Sequence, residues 1–262
     1  MSTTSDISVS IEAQLLNELV QPALVLTQDS NAVFRWHEDK LKIANVDGAN
    51  TIKIHQSIDS TEFESYELRG GSYSIGVKCN RLSNILDSLS PTDTVSLSID
   101  TETNEIAVEF DQGQYGMAGV DKSTIREPSK SDLAHSVTLH IHKSAINQAH
   151  DIIGMVSDRI EIDVTETEIT FSGRGDTDRA TIGLSTKTDD GDLAQDEVLY
   201  ENPVSTPIVS KYDKRLIGDL KKFIPNSHIK VKLAENQPLE VLTKRADEKI
   251  DTQIVVAPKV TP

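Results

Sequence analysis

Residues 81–99 read RLSNILDSLSPTDTVSLSI, and residues 215–233 read RLIGDLKKFIPNSHIKVKL. At an offset of 134 positions, Pro91 falls on Pro225. Six apolar pairs also match: Leu82 with Leu216, Leu86 with Leu220, Leu89 with Phe223, Val95 with Ile229, Leu97 with Val231 and Ile99 with Leu233. Each stretch has leucines at helical spacing, then a proline turn, then strict alternation of apolar and polar residues. Because the proline and both periodicities match together, the sequence predicts two copies of one α+β unit.

Alternation of apolar and polar residues dominates the rest of the chain and predicts half-buried antiparallel strands. The clearest strands are DTVSLSID (Asp93–Asp100) and NEIAVEF (Asn104–Phe110), and the pattern returns in RIEIDV, EITFSG, HIKVKL and PLEVLTK. Helical patterns are few and short. The four predicted helices are Ser10–Leu24, which is expected to stop near Pro22, Cys79–Pro91, His142–Val156 and Ser210–Pro225.

The segment Val120–Ser136 is polar, contains Pro128 and has few apolar residues. Such a composition predicts a connection that lies over the surface. The predicted organisation is therefore one domain at residues 1–119, a connecting loop at 120–136 and a second domain at 137–262.

The chain is strongly acidic, with 42 Asp and Glu against 26 Lys and Arg and a formal net charge of -16. Self-repulsion of this size favours solubility and normally disfavours nucleic acid. An acidic surface also suits molar salt, where the Debye length falls to about 3 Å, and we favour this interpretation. No apolar run is long enough for a membrane span, the N-terminus lacks the pattern of a secretory signal, and one cysteine indicates a reducing, intracellular setting.

Against this background, the predicted helix at Ser210–Pro225 gathers positive charge. On a helical projection its apolar residues share one face. The other face carries Lys211, Lys214, Arg215, Lys221 and Lys222. On pattern alone, a solvated amphipathic helix accounts for these charges.

Several further stretches resemble one family. These are LKIANVDGAN (Leu41–Asn50), IGVKCNRLSNIL (Ile75–Leu86), MVSDRIEI (Met155–Ile162), ITFSGRGDTDRATIGL (Ile169–Leu184) and the closing VVAPKV (Val255–Val260). In this order and spacing they resemble a sliding clamp of the proliferating cell nuclear antigen (PCNA) family. The acidic composition is most similar to clamps of halophilic archaea or of their viruses.

The resemblance implies an α+β fold of two similar clamp domains, with antiparallel sheets outside and four helices lining the channel of a homotrimeric ring. Duplex DNA would pass through the channel, held without sequence preference, while the ring tethers DNA polymerase and other replication and repair proteins. It implies no catalysis, no cofactor and no metal, and an ATP-driven loader as a partner. The setting would be the cytoplasm of an archaeal cell, or of an infected host cell. Subunits would join by pairing Gln114–Val120 with Arg179–Leu184 of the next copy.

The resemblance also implies two sets of site residues. The DNA-contacting set comprises Lys211, Lys214, Arg215, Lys221, Lys222, Lys78, Arg81, Lys143 and His150. The first helix has no Lys or Arg, so the fourth helix is expected to carry most of the contact. The second set forms a pocket for a short motif with a glutamine, an aliphatic residue and two aromatics: Val46, Ile125, Leu133, Pro238, Val255, Ala257 and Pro258.

Two alternative functions are kept beside this interpretation. One is a clamp paralogue that joins a mixed ring for repair or checkpoint work. The other is a small metal-dependent hydrolase that uses Asp176 and Asp178 of GRGDTDR, although a Gly- and Asp-rich turn is the simpler interpretation. His140 and His142 share a strand face without a third ligand. Cys79 is either a reactive thiol at a helix start or a small buried apolar residue.

Overall fold

The computed structural model describes residues 6–129, 133–187, 191–202, 204–224 and 228–259. The chain divides into two compact units, Met1–Ser129 with Lys244–Thr252, and Lys130–Thr243 with Gln253–Pro262. The change of unit at Ser129 lies inside the predicted connecting loop. The sequence did not indicate that the late segment Lys244–Thr252 belongs to the first unit.

The first unit is built from two helices and two groups of strands. The elements are β1 Ile7–Glu12, α1 Ala13–Leu26, β2 Asn31–Trp36, β3 Lys40–Val46, β4 Ile52–Asp59, β5 Ser65–Leu68, β6 Tyr73–Lys78, α2 Cys79–Leu86, β7 Thr94–Asp100, β8 Glu105–Phe110 and β9 Gly113–Ala118. One group of strands has the order β5-β1-β7-β8-β9, and the other has the order β4-β3-β2-β6.

The second unit repeats this plan of helices and strands. Its elements are β10 Val137–His142, α3 Lys143–Gln148, β11 Arg159–Val164, β12 Glu168–Arg174, β13 Arg179–Thr186, β14 Glu197–Tyr200, β15 Ile208–Asp213, α4 Lys214–Lys221, β16 His228–Leu233, β17 Leu239–Arg245 and β18 Ile250–Val256. The strand order is β15-β11-β12-β13-β14-β10-β16-β17. Strands β17 and β18 supply residues to both units.

The duplicated helix–strand pattern is confirmed. Helix α2 is followed by β7, and α4 is followed by β16, at nearly the predicted offset. Alternate residues of β7 are buried, as are alternate residues of β16, so both strands place one apolar face in a core. Pro225, the second proline of the match, lies outside the described residues.

The first helix was predicted wrongly at both ends. Ser10–Glu12 completes β1, where Ile11 pairs with Val95 of β7, so α1 begins only at Ala13. Pro22 does not stop the helix, which continues to Leu26. Proline lacks the N–H that would bond to the carbonyl of Glu18 four residues earlier. That carbonyl accepts a hydrogen bond from Arg245 Nη1 at 3.3 Å instead, so the helix continues without an orphaned acceptor.

The other three helices are shorter than predicted. Helix α2 ends at Leu86, and α3 gives way at Ala149–Ile153 to one π-helical turn. The fourth begins at Lys214 because Ser210–Asp213 completes β15, in which Lys211 pairs with Glu161. Tyr212 is fully buried. A residue at this position would lie on the apolar face of either a strand or a helix, so the apolar pattern did not show where the strand ends. The predicted helix therefore began four residues too early.

Candidate nucleic-acid interface

Helix α4 and the residue that follows it present the most exposed cations of the second unit's described helices. Its N-terminus is capped by Asp213, whose Oδ1 accepts the backbone N–H of Arg215 at 2.9 Å. The side chains of Arg215 and Lys222 are 65% and 55% exposed. Both approach one carboxylate, that of Asp219, at 3.8 Å and 2.7 Å. Two cations sharing one anion leave a net positive charge on this face, which can attract phosphate.

Lys221 is held differently. Its Nζ lies 2.6 Å from Asp151 Oδ1 and 3.2 Å from His150 Nδ1, in the π-helical turn after α3. Hydrogen bonds from Lys221 and then from His150 lower the pKa of Asp151. Gly218 permits this close approach, because a Cβ there would lie only 2.8 Å from His150 Nε2. Lys221 and His150 thus join two helices and are only partly available to a ligand.

The cations at the start of the two helices are more enclosed. Lys214 donates a hydrogen bond from Nζ to the carbonyl of Gly154 at 2.5 Å. Burial, and then the nearby Lys221, lower the pKa of Lys143. Both lysines therefore add positive potential near α4, and Lys214 also makes a structural contact.

Lys211 does not lie on the helix, which corrects the predicted helical face. It stands on β15, and its Nζ pairs with Glu161 of β11 at 2.8 Å. Its side chain therefore belongs to the exposed face of a sheet. Its predicted DNA contact stays a prediction, now from a different surface.

The helices of the first unit carry an almost neutral polar network. Asn17 of α1 donates to Asp87 Oδ1 at 3.0 Å and accepts from Ser83 Oγ at 3.1 Å. The predicted DNA-contact residues here are Lys78, half-buried just before α2, and Arg81, exposed in its first turn. On charge alone, the second unit's helix pair is the stronger candidate for contact with phosphate.

The predicted partner pocket draws its residues from both units. Val46 and Val255 end or nearly end their strands and are only 2% and 8% exposed. The other five are half-buried and lie outside strands and helices: Ile125, Leu133, Pro238, Ala257 and Pro258. Ile125 packs on Gly76 of β6, where a Cβ would lie 2.8 Å from its Cδ1.

The first part of the connecting loop is tied to the first unit by polar contacts that the sequence did not indicate. Arg126 donates to the carbonyl of Gly48 at 2.6 Å, and Arg35 pairs with Glu127 at 2.5 Å. Val120 forms an isolated antiparallel bridge with Gly76. A run of charged residues in a polar loop gave no signal of which partner each would take. These contacts fix Ile125 in place at the surface.

Two strand edges lie where the resemblance predicted subunit contacts. Strand β9 is the last strand of its sheet, and among the described strands it pairs with β8 alone. Strand β13 pairs with β12 along its length, whereas β14 reaches only Ser185 and Thr186. Within the described residues, Arg179–Leu184 therefore has one edge without a neighbouring strand. Exposed edges of this kind can pair with another chain.

The residues proposed for the hydrolase alternative do not form a metal site. Asp176 and Asp178 are exposed in the turn between β12 and β13. Among the described residues, no group of three His, Cys, Asp or Glu is placed to hold a metal ion. Cys79 is fully buried, and burial raises the pKa of its thiol to about 12. A buried, protonated thiol is unreactive, so the apolar interpretation of Cys79 is correct.

Known proteins that are similar to this chain in sequence are DNA polymerase sliding clamps. A DNA polymerase sliding clamp of Haloarcula marismortui is 29% identical over 254 residues, covering 95% of this chain and 97% of its own. The clamp of Natronomonas pharaonis is 28% identical over the same shares, and that of Methanosphaerula palustris is 24% identical over 260 residues. No protein-family profile matches the chain.

Solved structures of PCNA are similar to this fold. PCNA of A. fulgidus, in a structure with the C-terminal region of FEN-1 bound, superposes with a TM-score of 0.81 at 21% identity over 98% of this chain and 99% of its own. PCNA of Thermococcus kodakaraensis gives 0.78 at 17% identity over 97% and 100%. The fold, mostly sheet with four helices in the part of the chain that the structure describes, is therefore that of these PCNA structures, as predicted. The chain is similar over nearly its full length to DNA polymerase sliding clamps, those of halophilic archaea among them.

Proposed function

We propose that this chain is a DNA polymerase sliding clamp, a processivity factor that forms a homotrimeric ring around duplex DNA. The observation that carries the proposal is the full-length match to sliding clamps, 95% of this chain against 97% of a haloarchaeal relative. The charge on α4 supports it, since Arg215 and Lys222 are exposed cations in a chain of net charge -16. Contacts to phosphate carry no sequence information, so such a ring can slide.

The proposed role is one of binding, without catalysis, in the cytoplasm where the DNA is copied. Neither alternative is favoured. A mixed ring has no observation in its support, and a hydrolase would need a site that Asp176 and Asp178 do not form among the described residues. None of the described helices is long and apolar enough to cross a membrane.

A threading experiment tests this function. A primed linear template lets a ring slide on from its free ends, whereas the same template with both ends blocked by streptavidin does not. We expect the chain to stimulate a haloarchaeal replicative polymerase in high salt on the open template and to lose that stimulation on the blocked one. Equal stimulation on both templates would argue against encirclement.

We further propose that the chain binds partner proteins through the half-buried apolar residues predicted for the motif pocket. A short helical turn that inserts apolar anchors is a common mode of recognition. In support, Ala257 and Pro258 are half-buried after β18, and Ile125 is fixed against Gly76. Calorimetry with a synthetic peptide carrying the glutamine–aliphatic–aromatic motif should show binding that Ala257→Asp abolishes. Unchanged affinity in this variant would place the peptide elsewhere.

A further inference from the structure

Three arginines lie side by side on the exposed face of the second unit's sheet. Arg174 ends β12 and stands directly opposite Arg179, which begins β13. On the other side of β12, Glu161 of β11 stands opposite Ser172. Continuing this register by two residues sets Arg159 opposite Arg174, and these three arginines are called the arginine row below. Like charges in directly opposite positions destabilise a sheet, so an anion bound beside the row would stabilise it.

The carboxylates nearest to the arginine row in the sheet are engaged by lysines. Asp213 of β15 stands opposite the β11 end of the row, and its Oδ2 accepts a hydrogen bond from Lys259 Nζ at 3.1 Å. Glu161 pairs with Lys211 at 2.8 Å. In the part of the chain that the structure describes, neither arginine of the β12–β13 hairpin has a carboxylate within ion-pair distance. The row therefore keeps its positive charge.

The arginine row borders a concave surface with a volume of about 460 Å³. The other charged residues of its lining are Lys211 and Glu161, and hydroxyl groups come from Ser157, Ser172 and Thr181. Four cations thus face one carboxylate, in a chain whose net charge is -16. Such a lining favours an anionic ligand, and the planar guanidinium of arginine can bind a carboxylate through two parallel hydrogen bonds.

The arginine row is continuous with the wall of the proposed partner pocket. After Ala257 and Pro258 the chain lies beside β15, where the backbone N–H of Lys259 donates to the carbonyl of Lys211 at 2.6 Å. Strands β15, β11, β12 and β13 are then successive neighbours in the sheet. A track of cations therefore leads from Lys259 at the pocket wall across four strands to Arg179.

Resting on the proposed partner pocket, we propose that the arginine row binds an acidic segment that flanks the motif in partner proteins. Neighbouring strands lie about 4.8 Å apart, so the track is about 19 Å long. An extended peptide rises about 3.3 Å per residue, so a segment of about six residues covers it. Pairing of the free β13 edge with another strand would extend the sheet sideways and leave this face open to the segment.

The net charge of the chain opposes such binding everywhere except at the arginine row. A chain of net charge -16 repels an acidic peptide as a whole. In about 1 M salt the Debye length falls to about 3 Å, so long-range repulsion is screened while ions in direct contact still attract each other. An acidic flank should therefore strengthen binding in high salt, and only where it touches the row.

Calorimetry with three synthetic motif peptides tests the proposal. One peptide carries a run of glutamates of the stated length before the motif, one carries it after the motif, and one carries glutamines at both ends. In about 1 M salt, one of the two acidic peptides should bind about tenfold more tightly than the glutamine peptide. Arg174→Gln with Arg179→Gln should remove this gain and leave the affinity for the glutamine peptide unchanged. Lys42→Gln with Arg69→Gln, two exposed cations of the first unit, is the matched control and should keep the gain.

The outcomes separate the row from the pocket. If the glutamine peptide binds and neither acidic flank adds affinity at any salt concentration, the inference is overturned while the pocket stands. If no peptide binds, the pocket fails and the inference fails with it. A gain that survives in the double arginine variant would also overturn the inference. If that variant keeps the gain and binds labelled duplex DNA about tenfold more weakly, the row serves phosphate instead of a partner's carboxylates.

Discussion

Lys221 of α4 lies 2.6 Å from the carboxylate of Asp151, in the π-helical turn that follows α3. The lysine side chain is only 22% exposed, whereas that of Asp151 is 58% exposed. The exposed carboxylate of Asp151 therefore lies between Lys221 and the solvent. This pairing limits the charge that the helix pair offers to DNA.

Asp151→Asn should strengthen binding to duplex DNA. The change leaves the side-chain shape almost unaltered and removes the anion that competes with phosphate for Lys221 and His150. If one more phosphate contact forms, the log–log slope of affinity against salt should steepen by about 0.9. Fluorescence anisotropy with labelled duplex at several salt concentrations measures both quantities. Glu166→Gln, in the turn between β11 and β12, is the matched control and should change neither.

Reversing charge at Arg215 and Lys222 should weaken DNA binding by about tenfold or more and flatten its salt dependence. Arg215 in α4 and Lys222 directly after it have exposed side chains, and no described contact ties them to the core. Arg215→Glu with Lys222→Glu should leave the assembled mass unchanged. Lys42→Glu with Lys122→Glu carries the same charge change on the first unit. If that control weakened binding equally, net charge would explain the effect and α4 would have no special role.

Glu18→Ala should destabilise the first unit by about 3 kcal/mol, the low end of the range for breaking a buried ion pair. Arg245 is 9% exposed and pairs with the Glu18 carboxylate, so the variant leaves a buried guanidinium without its anion. The free energy of unfolding from denaturant titration measures the loss. As a control, Glu12→Ala removes a more exposed ion pair, in which Glu12 Oε2 lies 3.9 Å from Lys249 Nζ. This variant should lower the free energy of unfolding by less than about 1 kcal/mol. Similar losses in the two variants would contradict a special role for Arg245.

Stability should fall as the pH drops below about 6.5, partly through His55. Burial, and then the charge of Lys53, lower the pKa of His55 from 6.5. The unfolded chain therefore takes up the proton more readily, so the effect is absent above the unfolded pKa and appears as the pH falls through it. Unfolding titrations at about pH 8 and about pH 5.5 should show a smaller difference for His55→Gln than for the unaltered chain. If His55→Gln left the difference in unfolding free energy between the two pH values unchanged, His55 would not contribute to the pH dependence.

The duplicated pattern could be predicted because helix and strand periods depend on residues close in sequence. Residues 81–99 and 215–233 needed no knowledge of partners to be identified as helix, turn and strand. The ends of the helices could not be predicted in the same way. Ser210–Asp213 became strand because β11 is available to pair with it, and that is a long-range contact.

In the candidate site, too, the local pattern could be predicted from the sequence and the long-range contacts could not. The sequence places cations near α4, but it does not say that Lys221 is paired with Asp151 or that Lys211 faces Glu161. Pro22 also misled the prediction, because the group that replaces its missing N–H, Arg245, lies 223 positions away in the chain. Pairings of this kind depend on tertiary structure and leave no local signal.

The assignment of Lys244–Thr252 to the first unit bears on how the chain folds during synthesis. Domains generally fold as units, the N-terminal one first, while the ribosome is still translating. Here Ile250 lies within the core of the first unit, and Arg245 supplies the donor that Pro22 lacks. The first unit therefore stays incomplete until residues near 250 have left the ribosome, after most of the second unit has been translated. Native folding of the N-terminal unit thus depends on residues that follow most of the second unit in the chain.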